Sequence, residues 1–199
     1  ANELSIMLGN YLAKFISEKK LIIGICNGFQ VLVKAGILPG PLDKEITIKE
    51  DFSQTSTLTA NDSGKFEDRW THLKVNTGSV WTKDLKNIVY FPVAHAEGKF
   101  IAQGKDILNK IIDNNQVAFC YVSKEGDDPK YPENPNGSVY NIAGITDKTG
   151  RVLGLMPHPE RHFLFYHHPY WTRLKKESEF GDGAKIFENG VNYARKKLL

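Results

Sequence analysis

The segment from Leu21 to Gln30 limits the possible folds of this chain more than any other part of the sequence. Leu21 to Ile25 is a short, apolar run, which is typical of a strand buried on both faces. A Gly-x-Cys-x-Gly motif centred on Cys26 ends the run, and helical apolar spacing follows from Gly28 to Ala35. A sharp strand-to-helix turn at a glycine-flanked cysteine predicts an α/β fold that exposes the Cys26 sulfur.

The chemistry of such a turn is that of an activated nucleophile. The motif is the cysteine counterpart of the Gly-x-Ser-x-Gly elbow, in which the glycines let the turn close. The positive end of the following helix stabilises a thiolate, and its first N–H groups, with Asn27 as the leading candidate, point to where an oxyanion would form. A structural cysteine beside a glycine-rich turn is the alternative, and the motif alone leaves both interpretations open.

A thiol nucleophile needs a base, and His158 is the histidine in the most constrained setting. An apolar run from Val152 to Met156 leads into Pro157-His158-Pro159-Glu160. Prolines on both sides favour extended geometry at His158, and residues two apart in an extended chain face the same side. Glu160 is therefore predicted to contact the His158 ring and set its tautomer. The alternative is a proline-rich turn with an incidental charge.

Composition excludes several other classes of protein. Apolar residues make up 41% and charged residues 25% of the 199 residues, and the net charge is only +3. We therefore expect a cytoplasmic protein that binds neither nucleic acid nor membrane. Cys120 lies in an apolar run and is interpreted as a small buried hydrophobe, although one disulfide with Cys26 stays open. No metal site is expected, since His167 and His168 have no partners at a zinc-like spacing.

The remaining patterns predict one mixed α/β domain over residues 1–199. Helices are predicted from the apolar spacing of residues 4–16, 101–112 and 184–198, the last with a stripe of Ala184, Phe187, Val191, Ala194 and Leu198. Gly190 lies inside that helix and would weaken it by about 1 kcal/mol. Strands are predicted at residues 46–48, 72–75 and 88–93, the last ending near Pro92, and as a hairpin of 142–145 and 152–156. Turns or loops are predicted at residues 61–64 and 126–138.

The residues around Cys26 and His158 resemble those of class I glutamine amidotransferases, and most closely the glutaminases of phosphoribosylformylglycinamidine synthases. Five blocks carry the resemblance: Gly24–Gln30, Asn61–Arg69, Pro92–Gly98, Asn134–Ser138 with Ile142–Ile145, and Met156–Arg161. The resemblance implies a flavodoxin-like, three-layer α/β fold with a mostly parallel central sheet and helices on both faces.

The same resemblance implies a function. Cys26, His158 and Glu160 would form a catalytic triad that hydrolyses glutamine through a thioester, with Asn27, Gly28 and Gln30 at the substrate or oxyanion site. Ammonia would pass to a synthase partner in purine synthesis. That partner would use ATP and Mg²⁺, and the present domain would need no cofactor.

Two departures from the family pattern are visible. Ala96 stands where relatives usually have glycine. Relatives also carry about one more strand–helix–strand unit before this point, a size in keeping with ordinary domains, and it supplies the second oxyanion donor. We therefore expect an N-terminally incomplete domain that is a poor glutaminase alone. Two alternatives stay open: a γ-glutamyl-type cysteine hydrolase, and a non-catalytic domain that binds the synthase.

Overall fold

The computed structural model describes residues 11–43 and 53–199, and these form an α/β structure. Helix α1 covers residues 11–17. The other helices are α2 (Asn27–Lys34), α3 (Lys105–Asp113) and α4 (Ala184–Lys197). The strands are β1 (Ile22–Ile25), β2 (Ser56–Ala60), β3 (Glu67–Val75), β4 (Ile88–His95), β5 (Glu97–Ala102), β6 (Val117–Val122), β7 (Ile142–Thr146) and β8 (Val152–Leu155). None of the helices in these two ranges has the length and hydrophobicity to cross a bilayer.

The central sheet has six described strands in the order β1-β8-β7-β6-β3-β4. Only the pair β1 and β8 is parallel, and the four other pairs of this sheet are antiparallel. The predicted α/β class is confirmed, but the expectation of a mostly parallel sheet is wrong for the described strands. The tight turn of residues 147–151 accounts for one antiparallel pair, because β7 and β8, which it joins, must run antiparallel. The other three antiparallel pairs are set by longer connections.

Helices cover both faces of this sheet, as the three-layer prediction requires. On one face, helices α1, α2 and α3 bury Ile16, Phe29 and Ile111 in a core that also includes the antiparallel pair β2 and β5. On the other face, α4 buries Ile186 against strands β3, β4 and β6. The short apolar strands β7 and β8 are buried along their whole length, as strands with both faces covered must be.

Several predicted elements are confirmed and two have different ends. Strand β4 continues through Pro92 to His95 rather than ending near the proline. Proline is tolerated there because β4 is an edge strand, where one set of N–H groups has no strand partner. The helix predicted from residue 101 begins at Lys105, since residues 101 and 102 complete β5. The strand predicted at residues 46–48 lies outside the described residues.

The C-terminal helix forms, but its buried face differs from the predicted stripe. Its buried residues are Ile186, Asn189 and Gly190, whereas Val191 is 50% exposed. A Cβ on Gly190 would lie 2.7 Å from the Trp81 ring, so the glycine permits close approach of the helix to this indole. Asn189 adds hydrogen bonds to the carbonyls of Trp81 and Lys83. Tertiary packing at Trp81 therefore outweighs the poor helix propensity of glycine.

Candidate functional site

Cys26 lies at the junction of β1 and α2 in a strained backbone conformation. Its φ of 52° and ψ of −106° are unusual for a residue with a side chain. The Cys26 N–H donates to the Leu155 carbonyl at 2.8 Å, while its carbonyl accepts the first helical hydrogen bond from Gln30 N–H. Helix α2 therefore does not use the N–H groups of Asn27 and Gly28 internally, and they lie beside the thiol. This is the elbow geometry that the motif predicted.

The two glycines of the motif have different roles. A Cβ on Gly24 would lie 2.7 Å from backbone atoms of Gly28 and 2.5 Å from the Leu32 side chain, so the turn closes only without it. A Cβ on Gly28 would meet no atom within 4 Å. The steric reason given for the motif is therefore confirmed for Gly24 and wrong for Gly28, which instead borders open space next to Cys26.

His158 follows β8, and its ring is hydrogen-bonded to Glu160. The His158 Nδ1 and Glu160 Oε1 atoms are 2.5 Å apart. The predicted contact is present, but its predicted cause is wrong, because Pro159–His162 form a turn of 3₁₀ helix rather than extended chain. The backbone N–H of His158 donates to the Pro92 carbonyl at 2.8 Å, which attaches this turn to β4. We call residues 158–162 the His158 turn.

The surroundings of His158 favour its charged form. Burial by itself lowers the pKa of this imidazole, but hydrogen bonding to Cys26 and Glu160, and their negative charges, outweigh burial and raise the pKa to about 9. Because Glu160 occupies Nδ1, Nε2 is the nitrogen available to the Cys26 thiol. Nε2 is buried, and no atom of the described residues, the Cys26 sulfur included, lies in position to form a regular hydrogen bond with it. The arrangement places a charged imidazolium beside the Cys26 sulfur.

Strand β4, at the opposite edge of the sheet from β1, also contacts Cys26. The Cys26 thiol donates to the Ala94 carbonyl, with Sγ and O 3.8 Å apart. Ala94 belongs to β4, which lies five strands away from β1 in the sheet order. The sheet must therefore curl strongly, and its curvature assembles Cys26, the His158 turn and the end of β4 around one site.

The other predicted site residues lie on the elbow helix. The Asn27 side chain is exposed, and Gly28 is half-buried. Gln30 Nε2 donates to the Glu97 carbonyl at 2.6 Å, which links α2 to the start of β5. Asn27, Gly28 and Gln30 all lie in the first turn of α2, directly after Cys26. Their roles in binding substrate stay predictions.

Sequence reasoning missed a buried polar network around His95. Asn61 Oδ1 accepts hydrogen bonds from the Gly98 N–H at 3.0 Å and from His95 Nδ1 at 3.1 Å. Because Asn61 Oδ1 only accepts, Nδ1 carries the ring proton. Burial, with help from the positive charge of His158, lowers the pKa of His95 to about 4, so this ring is neutral. Asn61 and His95 both lie in blocks that carry the family resemblance, and this was the one sequence feature that pointed to them.

The family-like blocks that lie far apart in sequence meet around this network. Ser138 Oγ accepts the Phe100 N–H at 2.9 Å and hydrogen-bonds Asn136, whose amide reaches the buried Tyr121 hydroxyl. Ser138 and Asn136 are almost fully buried, so the end of the predicted surface loop is part of the core. These blocks thus hold in place the connection between β4 and β5, which lies beside Cys26.

The remaining cysteine and histidines lie in other settings. Both cysteines are free, so the open disulfide alternative is wrong. Burial raises the pKa of the Cys120 thiol to about 11, as expected of a hydrophobe-like cysteine. His168 packs against Trp70 and Tyr90. Within residues 11–43 and 53–199, no group of three His, Cys, Asp or Glu residues is arranged to hold a metal ion.

Comparison with known proteins gives consistent matches. A family model of CobB/CobQ-like glutamine amidotransferase domains matches residues 4–194. The chain is 46% identical over 200 residues to the phosphoribosylformylglycinamidine synthase subunit PurQ of Dehalococcoides mccartyi, covering 98% of this chain and 72% of that protein. It is also 46% identical over 189 residues to the PurQ subunit of Archaeoglobus fulgidus, covering 92% of this chain and 66% of that protein.

A solved structure has the same fold. The chain is similar to a chain in the structure of PurLQS from Thermotoga maritima, with a TM-score of 0.63 and 30% sequence identity. The match covers 94% of the present chain and 68% of that one.

Proposed function

The chain belongs to the family of CobB/CobQ-like glutamine amidotransferase domains, and on that premise we propose that it hydrolyses glutamine and delivers the ammonia to a phosphoribosylformylglycinamidine synthase. The observation that carries the proposal is the ion pair within the His158 turn. Glu160 is hydrogen-bonded to His158, and the resulting imidazolium lies beside a cysteine on a strained elbow. A structural cysteine would need none of these features.

The first half of the reaction forms a thioester. The Cys26 thiolate attacks the side-chain amide carbon of glutamine, and the carbonyl oxygen becomes an oxyanion that the N–H groups of Asn27 and Gly28 can stabilise. The C–N bond then breaks as His158 Nε2–H gives its proton to the departing nitrogen, which leaves as ammonia. Glu160 keeps the imidazole in the tautomer and orientation that this proton transfer needs.

The second half restores the enzyme. Neutral His158 takes a proton from water, the resulting hydroxide attacks the thioester carbon, and glutamate leaves as the carbon–sulfur bond breaks. Cys26 thus returns as a thiolate beside a charged His158. We propose that the residues of this chain carry out both halves without a metal or organic cofactor.

The names of the relatives support a synthase as the acceptor of the ammonia. They describe a subunit of phosphoribosylformylglycinamidine synthase, and the similar solved structure is that of PurLQS from Thermotoga maritima. We infer that this chain acts as one glutamine amidotransferase domain with a synthase partner, which uses ATP and Mg²⁺. We also infer that the chain works in the cytoplasm, as the resemblance to these biosynthetic relatives implies.

The test is glutamate release from glutamine, measured with and without added synthase. Replacing the nucleophile by Cys26→Ala is expected to lower the rate by about 10⁴-fold or more, because no other thiol lies at the elbow. Cys120→Ala is the matched control and is expected to leave the rate within about twofold, because this thiol is held neutral in strand β6.

Each other outcome favours a different reading. Release that depends on Cys26 but is as fast with γ-glutamyl peptides, and unaffected by the synthase, would support a γ-glutamyl-type hydrolase. Synthase binding without release, with Cys26 no more reactive than Cys120 towards iodoacetamide, would support a non-catalytic binding domain. Release unchanged by Cys26→Ala would overturn the proposed mechanism.

A further inference from the structure

The outward edge of β4 contacts three separate parts of the site. The carbonyls of Tyr90, Pro92 and Ala94 are two residues apart, so all three point away from β3, the one described strand that pairs with β4. Ala94 O accepts from the Cys26 thiol and Pro92 O from the His158 N–H. The third carbonyl, of Tyr90, lies 2.9 Å from His162 Nδ1. One strand edge therefore aligns the nucleophile and both ends of the His158 turn.

His162 is held in a single position at the end of that turn. It is 4% exposed, and its ring packs edge-on against Trp70 with 5.3 Å between ring centroids. Its own carbonyl accepts the Gly183 N–H at 3.0 Å. A Cβ on Gly181 would lie 2.4 Å from the His162 ring, and a Cβ on Gly183 would collide with the Pro159 carbonyl. The chain leading into α4 thus encloses the turn from the side opposite β4.

The proton on His162 is assigned by its partner. A backbone carbonyl can only accept, so Nδ1 donates to Tyr90 O. Burial lowers the pKa of His162, and Nδ1–H can donate to this carbonyl in either charge state of the ring. Alanine or leucine at this position would remove the only side-chain hydrogen bond described between the turn and β4, and would leave the Tyr90 carbonyl without that partner.

We propose that His162 is a positioning residue that holds Glu160 against His158 by fastening the far end of the His158 turn to β4. Glu160 is two residues from each attachment point, at His158 N–H and at the His162 ring. Its carboxylate is 43% exposed, and its other described ion-pair partner is Arg161, at 4.0 Å. Without the second attachment to β4, the turn keeps only the His158 N–H bond to this strand and the Gly183 N–H bond on its other side, so Glu160 is positioned less firmly. This inference rests on the proposed glutaminase function.

The experiment compares three variants of the full chain in the presence of synthase. His162→Leu removes the donor but keeps apolar bulk, whereas His162→Asn retains an amide N–H near the position of Nδ1. His168→Leu is the matched control, because His168 packs in the same aromatic cluster but its Nδ1 accepts the Tyr170 N–H instead of contacting β4. The measurements are kcat and KM for glutamine, thermal unfolding, and the pH dependence of Cys26 alkylation by iodoacetamide.

His162→Leu is expected to lower kcat by about tenfold or more with KM within about twofold, since misplacing an acid–base group affects the reaction more than binding. The alkaline limit of kcat should move to lower pH, because a displaced Glu160 no longer supports the imidazolium. His162→Asn should recover most of the activity, and His168→Leu should stay within about twofold of the unmodified chain. If His162→Leu does not fold, His162→Gln, whose amide lies beyond the Nδ1 position, replaces it.

Two results would overturn the inference. One is an equal loss of kcat and thermal stability in His162→Leu and His168→Leu, which would indicate packing alone. The other is an unchanged kcat in every His162 variant. If the unmodified chain shows no Cys26-dependent release, the proposed function fails separately. The pH dependence of alkylation then decides whether His162 positions the His158–Glu160 pair, since it requires no turnover.

Discussion

The elbow at Cys26 and the His158 turn contribute to the same site, but they are built in different ways. The elbow is local: β1, the strained Cys26 and helix α2 are consecutive in the chain, and the close contact that shapes the turn joins Gly24 to Gly28. The His158 turn is held from outside. Its attachments are to Pro92 and Tyr90 of β4 and to Gly183 before α4.

This difference explains why the elbow, but not the attachment of the turn, can be predicted from sequence. A steric requirement within five residues restricts the residue type, because only glycine fits where two backbones approach so closely. Hydrogen bonds to backbone carbonyls leave no pattern at the acceptor, since any residue supplies a carbonyl. We expect substitutions of Glu160 in the turn to affect mainly the rate of glutamine hydrolysis. We expect substitution of Gly24 in the elbow to affect mainly the free energy of unfolding.

The largest expected effect is on the turn. Glu160→Gln should lower kcat for glutamine hydrolysis by about 10²-fold, because the neutral amide cannot stabilise the imidazolium that gives up its proton. The pKa of His158 is raised to about 9, so the active, charged form persists below that pH and activity is lost as pH rises through about 9. In Glu160→Gln this alkaline limit should move down towards the ordinary histidine range.

A kcat–pH profile measured for both proteins tests this prediction. Thermal unfolding should change little, because the Glu160 side chain is half-exposed. An unchanged alkaline limit in Glu160→Gln would mean that Glu160 does not control the charge of His158, and the contrast between turn and elbow would lose its basis.

Substitutions in the elbow should change the free energy of unfolding. Gly24→Ala is expected to lower the free energy of unfolding by about 1–3 kcal/mol, because the added methyl meets the Gly28 backbone, which cannot move aside. Gly28→Ala is the matched control. It should leave stability unchanged or raise it by up to about 1 kcal/mol, since alanine is the better helix former and its methyl meets open space.

Urea unfolding of the two variants provides the comparison. If both variants lose stability equally, the elbow is not shaped by close contact at Gly24. Glutamine kinetics add a second readout. A rise of KM in the stable Gly28→Ala protein would indicate that the space beside Gly28 holds glutamine.

The smallest expected effect is that of Pro92→Ala, at the edge of β4. Pro92→Ala should reduce the free energy of unfolding by only about 0.4–1 kcal/mol, through greater freedom of the unfolded chain. The outward N–H that alanine adds is not needed by the sheet, and the carbonyl that holds His158 remains. Val93→Pro is the contrasting variant, since it removes an N–H that faces β3 and should cost about 3 kcal/mol or more. Equal losses would mean that the edge is oriented differently.

Much of the fold was accessible from local pattern. Strand β1, helix α2, the hairpin of β7 and β8 and the C-terminal helix all form where apolar spacing and turn residues predicted them. Strand direction was not accessible, because an apolar run looks the same in a parallel or an antiparallel pair. The buried face of α4 was also predicted wrongly. The helix packs its Gly190 side against Trp81, which lies more than 100 residues away along the chain.

The site divides in the same way. The sequence by itself determined that Cys26 lies at a strand-to-helix elbow and, together with the family resemblance, that His158 pairs with Glu160, because each feature depends on residues within five positions of one another. Only the tertiary structure decided that the β4 carbonyls would hold the turn, that His95 would be neutral beside Asn61, and that His162 would be buried against β4. The physical reason is that burial and backbone hydrogen bonding come from the curling of the sheet, which brings β4 back to β1 and which no short segment specifies.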